Sequence, residues 1–477
     1  MNKKALSLVL IITTFTLCGC PKKNDDTKPL TGTIEERLEK LKCVTEVKRI
    51  GTSKYFQKVF KMKFTQYIDH DNKKLGTFTQ HVELGFNGLD KPTDYVSSGY
   101  SIMDNNASWE DNENELAFTL GCNYLFVEHR YFDDSLPVEI DYNNNETWKY
   151  LTTKQAADDA HYIVSQFKRV LEGKWFSTGI SKGGMTTELF AYYHPGDMDL
   201  YVPYVAPFCN SFTDKRMIKF VNEEAGDIQY GEETAAEMRN NVLAFQIKML
   251  EWRNTLAPRF YNDGISQGAT FSEYATQDNL YDASVLEFGI GFWQYYQSYS
   301  SLKSCLNMAE NTASNLNKKK EKFYTFFTSI CGPADLSVNG EYTPYYVQAY
   351  QELGNYGYDF SYIRNALPEG VTLTVSEQDE VDLAFKLALN ETQYQLPHKE
   401  LIYTKINNML KTTDQHFIIL YGSSDPWYSV RPDDVTGRSN ISIYVNDNRP
   451  HTTTVANFDP EVRDEILGKI KTILQIA

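Results

Sequence analysis

Two periodicities run along this chain and divide it into sheet-forming and helical parts. "VFKMKFTQYI" (59–68) and "TFTQHVELGF" (77–86) are rich in β-branched and aromatic residues. The polar turn "DHDNKKLG" separates them, which predicts a hairpin or meander opening the domain. "NYLFVEHRYF" (123–132) is a compact apolar run ending in charge, as a buried strand feeding a loop would be. Between 152 and 172, Ala156, Ala157, Ala160, Ile163, Val164, Phe167, Val170 and Leu171 recur at helical spacing, with Thr152 or Thr153 as N-cap. A strand at 175–178 and a helix from about Lys182 follow at once. This βαβα order predicts a mostly parallel sheet covered on both faces.

From 210 to 404 the pattern becomes helical, with long amphipathic segments such as 232–256 and the aromatic cluster "FGIGFWQYYQSYSS". Sheet character returns in "HFIILYGSSDPW" (416–427) and "NISIYVND" (440–447), and an amphipathic helix starting at Asp459 and Pro460 closes the chain. The expected fold class is α/β. Residues 41–209 and 405–477 form the core, and a large, mainly helical cap is inserted at 210–404.

Bulk properties narrow the function classes. A 42% hydrophobic, 23% charged composition is that of a globular chain, and 477 residues suit one core with an insertion or two domains. The net charge of −16, without clusters of Lys and Arg to neutralise phosphates, argues against a nucleic-acid partner. Aromatic residues reach 14%, which reads chiefly as buried packing.

The first twenty residues place two lysines before an apolar run from Ala5 to about Leu17, an export signal. Leu17-Cys18-Gly19-Cys20 resembles the bacterial lipobox. That resemblance implies removal of residues 1–19 and lipidation of Cys20 on a tether spanning 20–40, in a membrane-anchored protein of the bacterial cell envelope. No other stretch holds about eighteen consecutive apolar residues, so lipid rather than a spanning helix is the expected anchor. Five cysteines remain: Cys43, Cys122, Cys209, Cys305 and Cys331. The odd count leaves at least one unpaired, and Cys305 with Cys331 is the single disulfide expected. No CxxC pair or clustered His/Cys spacing points to a metal, and no cofactor is expected.

Candidate chemistry centres on "WFSTGISKGGMTTELF" (175–190). A strand that turns sharply into a helix through G-x-S-x-G exposes the serine at the bend, here Ser181. Gly179 and Gly183 leave the turn uncrowded, and the Lys182 backbone N–H points where an oxyanion would form. Serine needs a base to take its proton and an acid to hold that base. In this architecture the order is serine, then acid, then histidine. Asp425 follows an apolar strand at the carboxyl edge of the sheet, and His451 in "DNRPHTTTVANF" lies ahead of the last helix. Of the eight histidines, only His451 follows Asp425. His194 and His161 read as structural, while His129 beside the predicted site is a candidate substrate contact.

"EHRYFDDSLP", "QAADDAHYIV", "KWFSTGISKGGMTT", "YVPYVAPF", "FWQYYQ" and "YGSSDPW" occur in one order with "QYIDHDNKKLGTFTQHVEL". Together they resemble the secreted bacterial prolyl tri/tetrapeptidyl aminopeptidases, serine peptidases of PS-10 type, across roughly 400 residues. The E-H-R-Y stretch is also similar to the Pro-X carboxypeptidase and dipeptidyl peptidase group. His81 and the approach "NRPHTTT" depart from the family pattern. The resemblance implies an α/β-hydrolase core with a helical cap, and hydrolysis after proline that releases short peptides from free N-termini.

Phe292, Trp293, Tyr295 and Tyr296 offer an aromatic slot for a proline ring, and Glu287 is a candidate anchor for the substrate ammonium. Glu128 and Arg130 could line the site or form an ion pair that shapes the oxyanion loop. Alternative readings are an esterase or lipase on the same fold, and a non-catalytic surface lipoprotein binding peptides or glycans through its tyrosines.

Overall fold

The computed structural model describes residues 28–102, 115–296, 298–433, 435 and 437–476. The export signal, Cys20 and the start of the tether lie outside the described residues. Nine strands form the main sheet: β1 (Val44–Gly51), β2 (Lys58–Tyr67), β3 (Thr77–Phe86), β4 (Thr93–Ser97), β5 (Asn123–Val127), β6 (Trp175–Ile180), β7 (Leu200–Tyr204), β10 (Phe417–Gly422) and β11 (Ile441–Asn446). The strands β8 (Thr213–Asp214) and β9 (Asn355–Tyr356) pair separately.

The order is β1-β2-β3-β5-β4-β6-β7-β10-β11. Pairing is antiparallel from β1 to β5 and parallel from β5 to β11. The predicted hairpin is β2–β3, in unbroken register from Lys58 opposite Phe86 to Tyr67 opposite Thr77. Strands β4, β5, β7 and β10 are buried along their whole length, which explains why β5, β7 and β10 read as nearly continuous apolar runs and not alternating ones.

The helix Thr153–Phe167 is capped by Thr152, whose hydroxyl accepts from the Gln155 N–H, and it buries the predicted stripe from Ala156 to Phe167. It ends short of the expected 172; Val170 and Leu171 are buried from turns. The helix Lys182–Tyr193 packs against it and on β6 and β7, and the closing helix Pro460–Leu474 buries Ile466, Ile470 and Leu474. This is the α/β-hydrolase architecture.

Between β7 and β10 the chain builds a second apolar core. Helices Glu232–Glu251, Arg253–Ser266, Gln277–Gly291 and Leu316–Thr328 enclose a ring stack, with Phe245 lying 4.8 Å from Phe323 and 4.5 Å from Phe288. The segment expected as one helix over 232–256 is two, parted at Trp252, whose ring packs edge-on against Phe323. Val347, Leu353, Phe385, Ile402 and Leu410 return to the core of the sheet, so the last part of the insertion seals it to the hydrolase body.

The expected Cys305–Cys331 disulfide is not formed: both are free and buried, as are Cys122 and Cys209, and Cys43 is also buried. Cys305 packs against the Lys322 carbonyl midway along the helix Leu316–Thr328, whereas Cys331 lies beyond its end. The helix holds the two apart.

The turn after β5 shows what its charged residues do. Arg130 is fully buried and pairs with Asp159 through Nε (2.6 Å) and Nη2 (2.6 Å), while also donating to the carbonyls of Tyr67, Ile68 and Tyr150. Glu128 accepts from the Ser135 hydroxyl (2.6 Å) and the Ile102 N–H (2.8 Å). His129 is buried, with Nδ1 on the Arg130 carbonyl (2.7 Å); burial and the neighbouring Lys182 charge hold its pKa well below the usual range. These side chains join β5, the hairpin and the helix Thr153–Phe167.

Replacing Arg130 by Ala leaves Asp159 buried without its main partner, and is expected to cost about 3–5 kcal/mol in denaturant unfolding. A loss below about 1 kcal/mol would contradict the structural role. Burial raises the Glu128 pKa from 4.5 to about 7, so between those values the folded state holds a proton that the unfolded state has released. Glu128 therefore contributes stability that is lost as pH rises through this window. The unfolding free energy of Glu128→Gln, measured across the same range, is expected to lack that decline.

Candidate active site

Ser181 stands between β6 and the helix Lys182–Tyr193 with φ 57° and ψ −118°. A non-glycine residue held there stores about 1–3 kcal/mol of strain, which surrounding contacts must offset. Its N–H donates to the Tyr204 carbonyl of β7 (2.9 Å), and its carbonyl accepts from the Met185 N–H (3.0 Å). The loop after β4 presses on the same turn: a Cβ on Gly99 (φ +74°) would lie 2.5 Å from the Gly183 nitrogen, and a Cβ on Gly183 would lie 2.3 Å from the Ser97 oxygen. Only hydrogen at both positions permits this approach.

The Lys182 side chain secures the contact by donating from Nζ to the Gly99 carbonyl (2.6 Å), between the rings of Tyr100 (5.4 Å) and Phe132 (5.1 Å). Its burial lowers the ammonium pKa to about 7. Sequence reasoning reached only the Lys182 backbone N–H. Nothing in the apolar periodicity marks this side chain, because its partner loop lies 83 residues upstream.

Asp425 and His451 meet at the carboxyl ends of β10 and β11. Asp425 Oδ1 accepts from the Trp427 N–H (3.1 Å), which fixes the carboxylate, and Oδ2 lies 2.7 Å from His451 Nδ1. Both side chains are buried, at 0% and 3% exposure. A proton on Nδ1 facing the carboxylate leaves Nε2 with its lone pair. Nε2 is buried and has no hydrogen-bond partner among the described residues, so Ser181 and His451 are not hydrogen-bonded in this state.

The histidine loop is held from three sides. The Arg449 and Pro450 carbonyls pack so tightly on Gly422 that a Cβ there would lie 2.3 Å from each. Glu115 accepts from the N–H groups of Val455 (2.6 Å) and Ala456 (3.0 Å) and from the Tyr204 hydroxyl (2.9 Å). From the cap, the π-helical turn Phe292–Tyr296 offers the Gln294 carbonyl to the His451 N–H (3.0 Å), and the Tyr295 ring stands edge-on to the imidazole (5.3 Å).

A cavity of about 390 Å³ separates the edge of the sheet from the cap. Ser181, Tyr100 and Trp427 line it from the core; Glu287, Tyr295, Asp335 and Tyr345 line it from the cap. Glu287 and Tyr295 thus lie where sequence reasoning put them. Trp293 does not: it is buried in the cap core beside Phe292, its ring against Gly226. Glu128, His129 and Arg130 also lie away from this cavity, in the packing described above. The aromatic wall instead comes from Tyr342, Tyr345 and Tyr346, which sequence reasoning missed. Their i, i+3, i+4 spacing in "YTPYYVQAY" was the available signal of one shared face.

His161 and His194 stack at 4.2 Å beyond the far end of the helix Lys182–Tyr193. With Asp197 they bring ligand-type atoms within 4.8 Å of one another, a cluster that sequence spacing did not predict. Each imidazole is paired to a carboxylate, His161 to Asp197 (2.6 Å) and His194 to Asp158 (2.7 Å).

A model of the PS-10 peptidase S37 family matches residues 27–475. The prolyl tri/tetrapeptidyl aminopeptidase of Streptomyces mobaraensis is 26% identical over 374 residues, covering 77% of this chain and 69% of the relative. Among solved structures, the proline iminopeptidase of Mycobacterium smegmatis is 10% identical, covering 87% of this chain and 99% of that one, with a TM-score of 0.36. Acetyl xylan esterase 1 from Thermoanaerobacterium sp. is 11% identical, covering 94% of this chain and 96% of that one, with a TM-score of 0.33. A hydrolase fold bearing a G-x-S-x-G elbow, matched by the family model almost from end to end, establishes that this chain belongs to the PS-10 peptidase S37 family of serine peptidases.

Proposed function

We propose that this serine peptidase uses Ser181, His451 and Asp425 to release short peptides from free N-termini, cutting after proline, and that lipid on Cys20 ties it to the membrane of the bacterial cell envelope. The observation that carries the reading is the buried Asp425–His451 hydrogen bond of 2.7 Å, with Nε2 left as an open acceptor at the sheet edge that holds the strained Ser181 turn. Hydrogen bonds between nucleophile and base are often long or absent before substrate binds. In this reading the row closes when substrate binds and the serine hydroxyl turns to the imidazole.

In the reaction, His451 Nε2 takes the hydroxyl proton as Ser181 Oγ attacks the carbonyl carbon of the proline residue. Asp425 keeps Nδ1 protonated and stabilises the imidazolium. Charge on the tetrahedral oxygen is met by the Lys182 N–H and an N–H of the Gly99–Tyr100 loop, which Lys182 Nζ holds in place. The imidazolium then protonates the departing amine, and water resolves the acyl-enzyme by the same steps. Proline's rigid, apolar ring suits a pocket walled by Trp427, Pro207 and the cap tyrosines. The name of the Streptomyces relative supports the same substrate class.

Ser181→Ala is expected to fold normally, as judged by its unfolding midpoint, while hydrolysis of a tripeptide nitroanilide ending in proline falls at least about a thousandfold. Asp425→Asn is expected to lower kcat by a similar factor. Retained activity in Ser181→Ala would refute the nucleophile assignment, and faster hydrolysis of short acyl esters than of prolyl amides would move the reading to an esterase.

A further inference from the structure

We propose that His161, His194 and Asp197 form a binding site for a divalent metal ion, zinc by its ligand set, which staples the first crossover helix to the far end of the helix behind Ser181. The site is separate from the cavity between sheet and cap and does not rest on the peptidase reading. His161 lies on the helix Thr153–Phe167, His194 closes the helix Lys182–Tyr193, and Asp197 sits in the turn that leads to β7. Among the described residues this is the one group of three metal-ligating side chains whose ligand atoms all lie within 4.8 Å of one another.

The geometry is more than two ion pairs need. His161 Nδ1 lies 2.6 Å from Asp197 Oδ2, and His194 Nε2 lies 2.7 Å from Asp158 Oδ1. Each imidazole thus has its own carboxylate, yet the rings are stacked with centroids 4.2 Å apart and planes 8° from parallel. Two imidazolium rings so placed would set like charge against like charge. One divalent ion removes the conflict, because it binds both imidazoles in their neutral form and meets the carboxylate charge of Asp197. The lysines beside the cluster are already engaged: Lys154 donates to Asp158 Oδ2 (2.8 Å), and Lys168 donates to the Asp197 carbonyl.

Support for the ligands is built in. Asp158 holds Nε2 of His194, which fixes that ring and leaves Nδ1 for the ion, the usual order of carboxylate, histidine and metal. The Gly196 N–H donates to the Gln415 side chain (3.2 Å) and the Asp197 N–H to the His194 carbonyl (3.4 Å), so the turn carrying Asp197 is tied down. A lone pair lies in the plane of its ring, so one of two nearly parallel rings turns as an ion enters. His161 has the room, with 47% of its side chain exposed against 21% for His194. Two nitrogens and one carboxylate oxygen, with water completing a tetrahedron, suit Zn²⁺, whereas Mg²⁺ and Ca²⁺ take oxygen ligands. The whole helix Lys182–Tyr193, of 12 residues, separates this cluster from Ser181. That is about 18 Å along the axis, so the ion holds the fold and takes no part in the chemistry at the serine.

The test uses the untagged protein, stripped with chelator, dialysed and titrated with Zn²⁺ in a calorimeter, with Mg²⁺ as the control ion. The wild type is expected to take up a single Zn²⁺ with a Kd of about 10 μM or lower, and Mg²⁺ without measurable heat. His161→Ala and Asp197→Asn are each expected to weaken Zn²⁺ binding at least about a hundredfold, and Asp158→Asn, which removes only the support behind His194, at least about tenfold. Zn²⁺ in about a hundredfold excess over Kd is expected to raise the thermal unfolding midpoint of the wild type and to leave that of His161→Ala where it is in chelator. Far-UV circular dichroism in chelator reports that each variant is folded, and His161→Ala, at an exposed position, serves if Asp197→Asn does not fold. Absence of Zn²⁺ binding by the wild type would overturn the site. So would binding that folded His161→Ala retains at wild-type affinity, since the ion would then lie elsewhere.

Discussion

The site depends on one backbone contact, in which the loop at Gly99 lies against the first helical turn after Ser181. A side-chain carbon on Gly99 or Gly183 would drive these segments apart. Their closeness brings the β4 loop, the Lys182 N–H and the serine hydroxyl to one point, and the Lys182 ammonium spans the gap to hold them there. The strain in the Ser181 turn is tolerable because β7 on one side and the helix on the other fix both of its peptide groups. The elbow is thus a product of packing as much as of its own sequence.

Charge is distributed unevenly and usefully. In the hydrolase body, two acids tie elements together: Arg130 with Asp159 joins β5 to the first crossover helix, and Glu115 holds the loop beyond His451. The cavity between sheet and cap is lined by two carboxylates, Glu287 and Asp335, and by Lys182, whose ammonium is turned to the Gly99 carbonyl.

The cap takes part in the site and does not merely cover it. Its π-helical turn hydrogen-bonds the His451 backbone and sets the Tyr295 ring against the imidazole, so the position of the base is shared between the β11 loop and the insertion. Because Val347, Leu353, Phe385 and Ile402 are buried with the sheet, the end of the insertion is anchored on the body that carries Ser181. Motion of the cap relative to the sheet would be felt at the histidine.

Elements whose signal is local were legible in the residues alone. The Thr152-capped helix, the β2–β3 hairpin, the elbow at Ser181 and the order Ser181, Asp425, His451 follow from apolar spacing, glycine placement and chain direction, each set within a few residues. Trp293, Tyr342 to Tyr346, Lys182 and the cysteines were not legible, because which face of a helix meets a cavity depends on what packs against it from far along the chain. "FWQYY" looks like a ligand slot in sequence, yet the second core buries Trp293 and leaves Tyr295 outside. Cys305 and Cys331 look like a pair, yet one helix separates them. The sequence by itself determined the chemistry on offer and the βαβα alternation that carries it. Tertiary structure decided which side chains reach the substrate, since burial and long-range contact are properties of the assembled layers and not of any single segment.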